Sequence, residues 1–134
     1  MQKTKILVVD DEPTVQNVCS MVLRKYGFEP IIAGNGLDGL NAYRERNDEI
    51  CLTLADVMMP GMGGLEMVRH LFQIHSHVNV ILMSGYSVAE LIPDEIMRLC
   101  SVLQKPFTAQ HLIVAVKKCL QYDEDHHSSA SAGS

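Results

Sequence analysis

Short apolar runs alternate with amphipathic stretches along this chain. KILVVD (5–10), FEPIIA (28–33), ICLTLA (50–55), VNVILMS (78–84) and SVLQ (101–104) are dominated by aliphatic residues and are too short for helices. Runs of that kind read as strands buried on both faces of a parallel sheet. Pro30 interrupts the second run, which points to an edge strand, where a missing backbone donor does no harm. The intervening stretches repeat their apolar residues at helical spacing. Val15, Val18, Cys19, Val22 and Leu23 mark the buried face of a helix that Pro13 opens and Gly27 ends. After the Asn35-Gly36 turn, Leu37, Leu40 and Tyr43 mark a second helix over 36–47. Leu65, Val68, Leu71 and Phe72 mark a third over 64–75, and Leu112, Ile113, Val116, Cys119 and Leu120 a last one over 108–121. Residues 87–99 have a helical pattern broken by Pro93, so a helix there should be short, broken or displaced. Five strand–helix units predict a doubly wound α/β fold, a five-stranded parallel sheet with helices on both faces.

The length, 134 residues, suits one domain able to bury its own core. That domain is expected over 1–121. The stretch YDEDHHSSASAGS (122–134) lacks apolar periodicity and is expected to be a disordered tail. No run approaches the roughly 20 apolar residues of a membrane span. The opening run ends in two aspartates rather than a cleavage site, so a cytoplasmic, non-membrane protein is expected. The net charge of −5, with no basic stripe, argues against direct nucleic-acid binding. Four cysteines, Cys19, Cys51, Cys100 and Cys119, are widely spaced with no CxxC pair, and read as small structural thiols. His70, His75 and His77 near the end of the third helix read as solvated rather than metal-binding.

Polar residues placed directly after the apolar runs change the picture. Ligands of parallel α/β sheets bind at the carboxyl ends of the strands. Asp10 and Asp11 in VVDDEP, Asp56 in ADVMMPGMGG, Ser84 in LMSGY and Lys105 in LQKPF should therefore converge on one rim. Three carboxylates, a hydroxyl and an ammonium suit a divalent metal and an incoming phosphoryl group. Adjacent carboxylates resist joint ionisation unless a cation lies between them, and a hard ion such as Mg²⁺ takes oxygen ligands of this kind. Taken alone, the aspartate pair fits helix capping ahead of Pro13 equally well.

With these four strings together, the chain resembles the response-regulator receiver domain of two-component signalling over about residues 3–121. The resemblance implies a flavodoxin-like fold with strand order 2-1-3-4-5. It implies that Asp56 accepts a phosphoryl group from a histidine kinase or histidine phosphotransfer protein, and that Lys105 and Ser84 attend the transferred group. It also implies that Mg²⁺ is held by Asp10, Asp11, Asp56 and the backbone carbonyl of Met58, and that the Lys105-Pro106 peptide is cis. The chain would then be a switch rather than an enzyme, assisting its own phosphotransfer and dephosphorylation and changing a surface read by an output protein. ILMSGYS and VLQKPF are similar to receivers fused to hybrid histidine kinases, so the chain is either free-standing or part of a longer protein. Three positions depart from the common pattern. Met58 and Tyr86, each two residues beyond a site residue, are poorly suited to orient water, which implies a long-lived phosphoryl group. Val102 stands where receivers commonly carry the aromatic ring that turns inward on activation, and Pro93 falls in the fourth helix. Output is therefore expected to rely on rearrangement of 86–99.

Other functions fit less well. An aspartate-based phosphatase needs a second acid two residues after the nucleophile, where this chain has Met58. A flavodoxin-type carrier needs a hydroxyl- and glycine-rich loop after the first strand, where this chain has DDEPTV. A receiver-fold binding module acting independently of phosphorylation remains the alternative, and the retained acids, Ser84 and Lys105 weigh against it.

Overall fold

Alternation along each strand decides the layering. Leu7, Val9, Ala55, Val80 and Leu82 enter one core, while Ile6, Val8, Leu52, Leu54, Ile81 and Met83 enter another on the opposite face. Each face is apolar, so each needs a helical layer to cover it. The structure, a computed structural model, describes residues 3–85, 90, 92–97 and 100–132. The elements run β1 (Lys5–Val9), α1 (Pro13–Lys25), β2 (Glu29–Ala33), α2 (Gly36–Arg46), β3 (Ile50–Asp56), α3 (Gly64–Ile74), β4 (Val80–Ser84), α4 (Asp94–Met97), β5 (Ser101–Gln104) and α5 (Ala109–Ala132). All strand pairs are parallel, in the order β2-β1-β3-β4-β5. This is the doubly wound sheet expected from the apolar runs, and Pro30 lies on its edge strand.

Leu40, Tyr43, Met67, Val68 and Leu71 from α2 and α3 close the first core. Cys19, Val22 and Leu23 from α1, with Leu112, Ile113 and Val116 from α5, close the second. The end of α1 is a Schellman turn: the Gly27 amide donates to Arg24 and the Phe28 amide to Leu23. Gly27 has φ +88°, a conformation that favours glycine, and this turn aims the chain into β2.

Two apolar positions expected on buried faces point outward instead. Val18 is 36% and Leu37 54% exposed. Val18 lies to one side of the stripe formed by Cys19, Val22 and Leu23, and Leu37 to one side of Gly36, Leu40 and Tyr43, so neither meets the sheet. Only Cys19 among the thiols is fully buried; the other three are half-buried, and none of the four is joined in a disulfide among the described residues. The backbone of α5 continues to Ala132, through most of the stretch expected to lack structure. No proline or glycine lies between Ala109 and Ala132, so nothing in the sequence stops a helix already nucleated by the packed residues Leu112 to Val116. Among the described residues, no helix is long and apolar enough to cross a membrane.

Pro93 does not sit inside a helix. Its carbonyl accepts from the amides of Ile96 and Met97, and α4 begins with the next residue. A proline is tolerated there because its missing donor has no intrahelical partner to lose.

Candidate functional site

The site is built from strand ends. The Asp10 amide still donates across the sheet to Ala33 at 3.1 Å, so the residue is fixed as a continuation of β1. Its side chain is fully buried. Asp10 Oδ1 accepts from the Glu12 amide at 2.8 Å, and its carbonyl from Gln16 Nε2 at 2.6 Å. The capping role open to the aspartate pair is not the one adopted: Glu12 occupies the N-cap position of α1, with no side-chain cap bond. β3 carries Asp56 to the same rim, where Oδ1 accepts from the Met58 amide at 3.2 Å. The chain then turns back so tightly that a Cβ at Gly64 would lie 2.1 Å from the Asp56 carbonyl oxygen. Only glycine permits α3 to start there, against the strand end.

Lys105 reaches the rim from beyond β5. Its amide donates to the Ser84 carbonyl at 2.7 Å, and the Lys105-Pro106 peptide is cis. Lys105 Nζ lies 2.8 Å from Asp10 Oδ2, 3.1 Å from Asp56 Oδ2 and 3.5 Å from Glu12 Oε1. One ammonium thus neutralises two buried carboxylates and touches a third at the surface. Burial works against the Lys105 charge, but the hydrogen bond and charge of Asp10, together with Asp56, outweigh it and hold the pKa above that of an ordinary lysine. Asp56 is pushed the other way for an acid. Burial raises its pKa, Lys105 partly reverses this, and Asp10 adds to the rise.

Ser84 ends β4 and is 1% exposed, and its Oγ has no hydrogen-bond partner among the described residues. An unpaired buried hydroxyl is costly unless a further group satisfies it. Carboxylate oxygens of Asp10, Asp11, Glu12 and Asp56 lie within 4.8 Å of one another. That all-oxygen set matches a hard divalent ion such as Mg²⁺. Asp11 also borders an open cleft of about 530 Å³, lined by Asn35, Leu37, Pro60 and Met62.

The structure therefore gathers Asp10, Asp11, Asp56 and Lys105, with Ser84 at the neighbouring strand end. Met58 follows directly, with its side chain 63% exposed. Val102 lies apart in β5, paired with Leu82 and packed against the core on the α2/α3 side. Pro93 lies ahead of α4, and Tyr86 falls outside the described residues. Two participants went unnoticed in the sequence, Glu12 and Gln16. Glu12 was visible as the third acid of DDEP, but its turn back toward Lys105 depends on how α1 leaves the sheet. His75 is occupied elsewhere: its Nδ1 lies 2.9 Å from the Tyr43 hydroxyl.

Comparison with known proteins places this geometry in context. A family model described as the response regulator receiver domain matches residues 6–117. The sporulation initiation phosphotransferase F of Bacillus subtilis is 33% identical over 122 residues, covering 90% of this chain and 96% of that protein. The uncharacterized transcriptional regulatory protein YkoG of the same organism is 34% identical, covering 90% of this chain but 53% of its own length. This chain thus spans about half the length of that relative. Among solved structures, a response regulator receiver domain protein from Clostridium thermocellum superposes with a TM-score of 0.83 at 28% identity, covering 90% of this chain and 97% of that one.

Proposed function

Because the chain belongs to the response-regulator receiver family, we propose that it is a phosphoacceptor switch that takes its phosphoryl group on Asp56. Receivers of this family interact with histidine kinases or phosphotransfer proteins, and the donor proposed here is a phosphohistidine on such a partner. The observation that carries the assignment is the Lys105 ammonium bridging the buried Asp10 and Asp56 carboxylates at 2.8 and 3.1 Å.

An Asp56 carboxylate oxygen attacks phosphorus, the bond from phosphorus to the donor nitrogen breaks, and an acyl phosphate results. Nucleophile and phosphoryl group are both negative, so the approach needs positive charge. Mg²⁺, when bound, would supply it by drawing charge from both. Asp10, Asp11, Asp56 and the Met58 carbonyl are the residues proposed to hold the ion. Lys105, released from the carboxylates, pairs with a phosphoryl oxygen as a point charge. Ser84, whose Oγ has no partner among the described residues, donates a hydrogen bond to the phosphoryl group. Met58 and Tyr86 stand at the two positions where receivers tune hydrolysis and bring no group suited to orient water, so hydrolysis is slow, and rearrangement of 86–99 rather than an aromatic rotation at Val102 carries the change to an output protein.

Intact mass measured after incubation with phosphoramidate, with and without Mg²⁺, tests the assignment. The expected result is one added phosphoryl group only with Mg²⁺, and none in Asp56→Asn. Undiminished labelling of Asp56→Asn removes Asp56 as acceptor, and no labelling of the unaltered protein under any condition favours a phosphorylation-independent binding module.

A further inference from the structure

We propose that Glu12 sets the charge preference of the pocket for its phosphodonor, opposing doubly charged donors more than singly charged ones. The inference rests on the reading of Asp56 as acceptor. Within the acid group, Asp10 and Asp56 have side chains 0% and 7% exposed, whereas that of Glu12 is 60% exposed, so its carboxylate stands at the mouth. It caps nothing on its own helix. Its inward contact is Lys105 Nζ at 3.5 Å, the same ammonium that Asp10 and Asp56 hold more closely. A divalent ion on Asp10, Asp11 and Asp56 would offset two of their three charges and Lys105 the third, with the ammonium then turned toward the phosphoryl oxygens. Glu12 lies in the same carboxylate group but is not one of the residues proposed to hold the ion, and its carboxylate competes for the same ammonium. An arriving donor therefore meets one uncompensated negative charge beside the lysine it needs, and the opposing energy scales with donor charge.

Two small donors separate the charge from the chemistry. Acetyl phosphate arrives as a dianion; Asp56 Oδ bonds to phosphorus as the phosphorus–oxygen bond to the acetyl group breaks, releasing acetate. Phosphoramidate arrives with its nitrogen protonated and a net single negative charge; the same bond forms as phosphorus–nitrogen breaks, releasing ammonia. Because the effect on log rate is proportional to charge, a gain of about threefold for the monoanion implies about tenfold for the dianion.

The test measures initial phosphorylation rates by intact mass at saturating Mg²⁺ for the unaltered protein, Glu12→Gln and Glu12→Asp. Glu12→Gln should accelerate acetyl phosphate about tenfold and phosphoramidate about threefold, and the difference should shrink at about 0.5 M salt. Glu12→Asp, which keeps the charge, should stay within about twofold of the unaltered protein. The Mg²⁺ concentration giving half the maximal thermal shift should be the same in Glu12→Gln, since Glu12 is not a ligand in this scheme. Equal acceleration of both donors, no acceleration, or a weakened Mg²⁺ midpoint overturns the inference while leaving Asp56 as acceptor. If the unaltered protein takes label from neither donor, the acceptor reading fails and this inference fails with it.

Discussion

The rim where β1 and β3 end and the corner formed by α4 and β5 share one sheet but are held in different ways. At the rim, Asp10 accepts from a backbone amide and from Lys105, its carbonyl accepts from Gln16, and Asp56 accepts from the Met58 amide and Lys105. At the corner, α4 has four residues, only Ile92 and Ile96 around it are buried among the described residues, and Met97 is 45% exposed. Among the described residues, an exposed ion pair, Arg69 to Glu95 at 3.6 Å, links α4 to α3. Charge chemistry demands preorganised groups, because reorienting them during reaction costs energy. A signalling surface needs the opposite, an element drawn from the weakly held end of the structure. The contrast fits the roles proposed above, reception at the rim and response at the corner.

The rim should break most severely when the Lys105 ammonium is lost. Lys105→Met leaves two buried carboxylates facing each other, and removing one partner of a buried ion group costs about 3 kcal/mol. Thermal unfolding without divalent ions should show that loss, and saturating Mg²⁺ should restore much of it by taking the place of the ammonium. A variant as stable as the parent without Mg²⁺ would mean that the bridging geometry has no energetic weight.

The corner is sharpened by hydrogen exchange. Among the described residues, the amides of Ile96, Met97 and Cys100 bond within their own short stretch, to Pro93 and Ile96. They should exchange far faster than the Leu82 and Met83 amides of the central strand. Beryllofluoride with Mg²⁺, a stand-in for the phosphoryl group, should slow them about tenfold, which corresponds to about 1.4 kcal/mol of added local stability. Full protection of these amides in the free protein would move the responsive surface elsewhere.

The rim was the more legible of the two regions in the sequence, for a physical reason. A parallel strand buried on both faces is a nearly pure apolar string, so the first polar residue after it marks the carboxyl edge, and Asp10, Asp56, Ser84 and Lys105 all fall there. Asp11 and Glu12 lie in a turn whose direction no periodicity encodes, which is why Glu12 was missed. Val18 and Leu37 were misplaced because an apolar residue beside a helical stripe looks the same in one dimension as one within it. The length of α5 was hidden for a different reason: polar composition argues against burial, but it does not by itself stop a helix. Pro93 announced a disturbance without saying on which side of it the helix would start.

A milder change at the rim tests the cost of its charge. Burial raises the Asp56 pKa. The native state thus holds a proton at pH values where the unfolded chain has already lost it. Stability of the metal-free protein therefore falls as pH rises from the ordinary carboxylate range through the native pKa of Asp56, and above that pKa the penalty is complete. Asp56→Asn removes the charge but keeps the shape. It should stabilise the metal-free protein on the order of 1 kcal/mol at neutral pH and flatten that part of the pH profile. With Mg²⁺ the advantage should vanish, because the unaltered protein then gains from the ion and the variant has lost one of its ligands. Destabilisation by Asp56→Asn in the absence of metal would show that Lys105 more than offsets the burial of this carboxylate.

The smallest effect belongs to the corner's ion pair. Arg69 and Glu95 have side chains 51% and 70% exposed, and water screens a pair so open. Exposed pairs contribute at most about 1 kcal/mol and commonly much less, because two long side chains must be held in one arrangement to make them. Glu95→Gln should therefore shift unfolding by about 0.3 kcal/mol or less. The informative comparison is with the exchange of the Ile96 and Met97 amides in the same variant. If α4 is held chiefly by Ile92 and Ile96 in the core, those amides keep the rates of the parent protein. If the ion pair is what pins α4 to α3, exchange accelerates severalfold while global stability barely moves, and the switch would then have an electrostatic latch at its responsive corner. A global loss above about 1 kcal/mol would contradict the premise that this corner is weakly held, since no exposed pair accounts for so much.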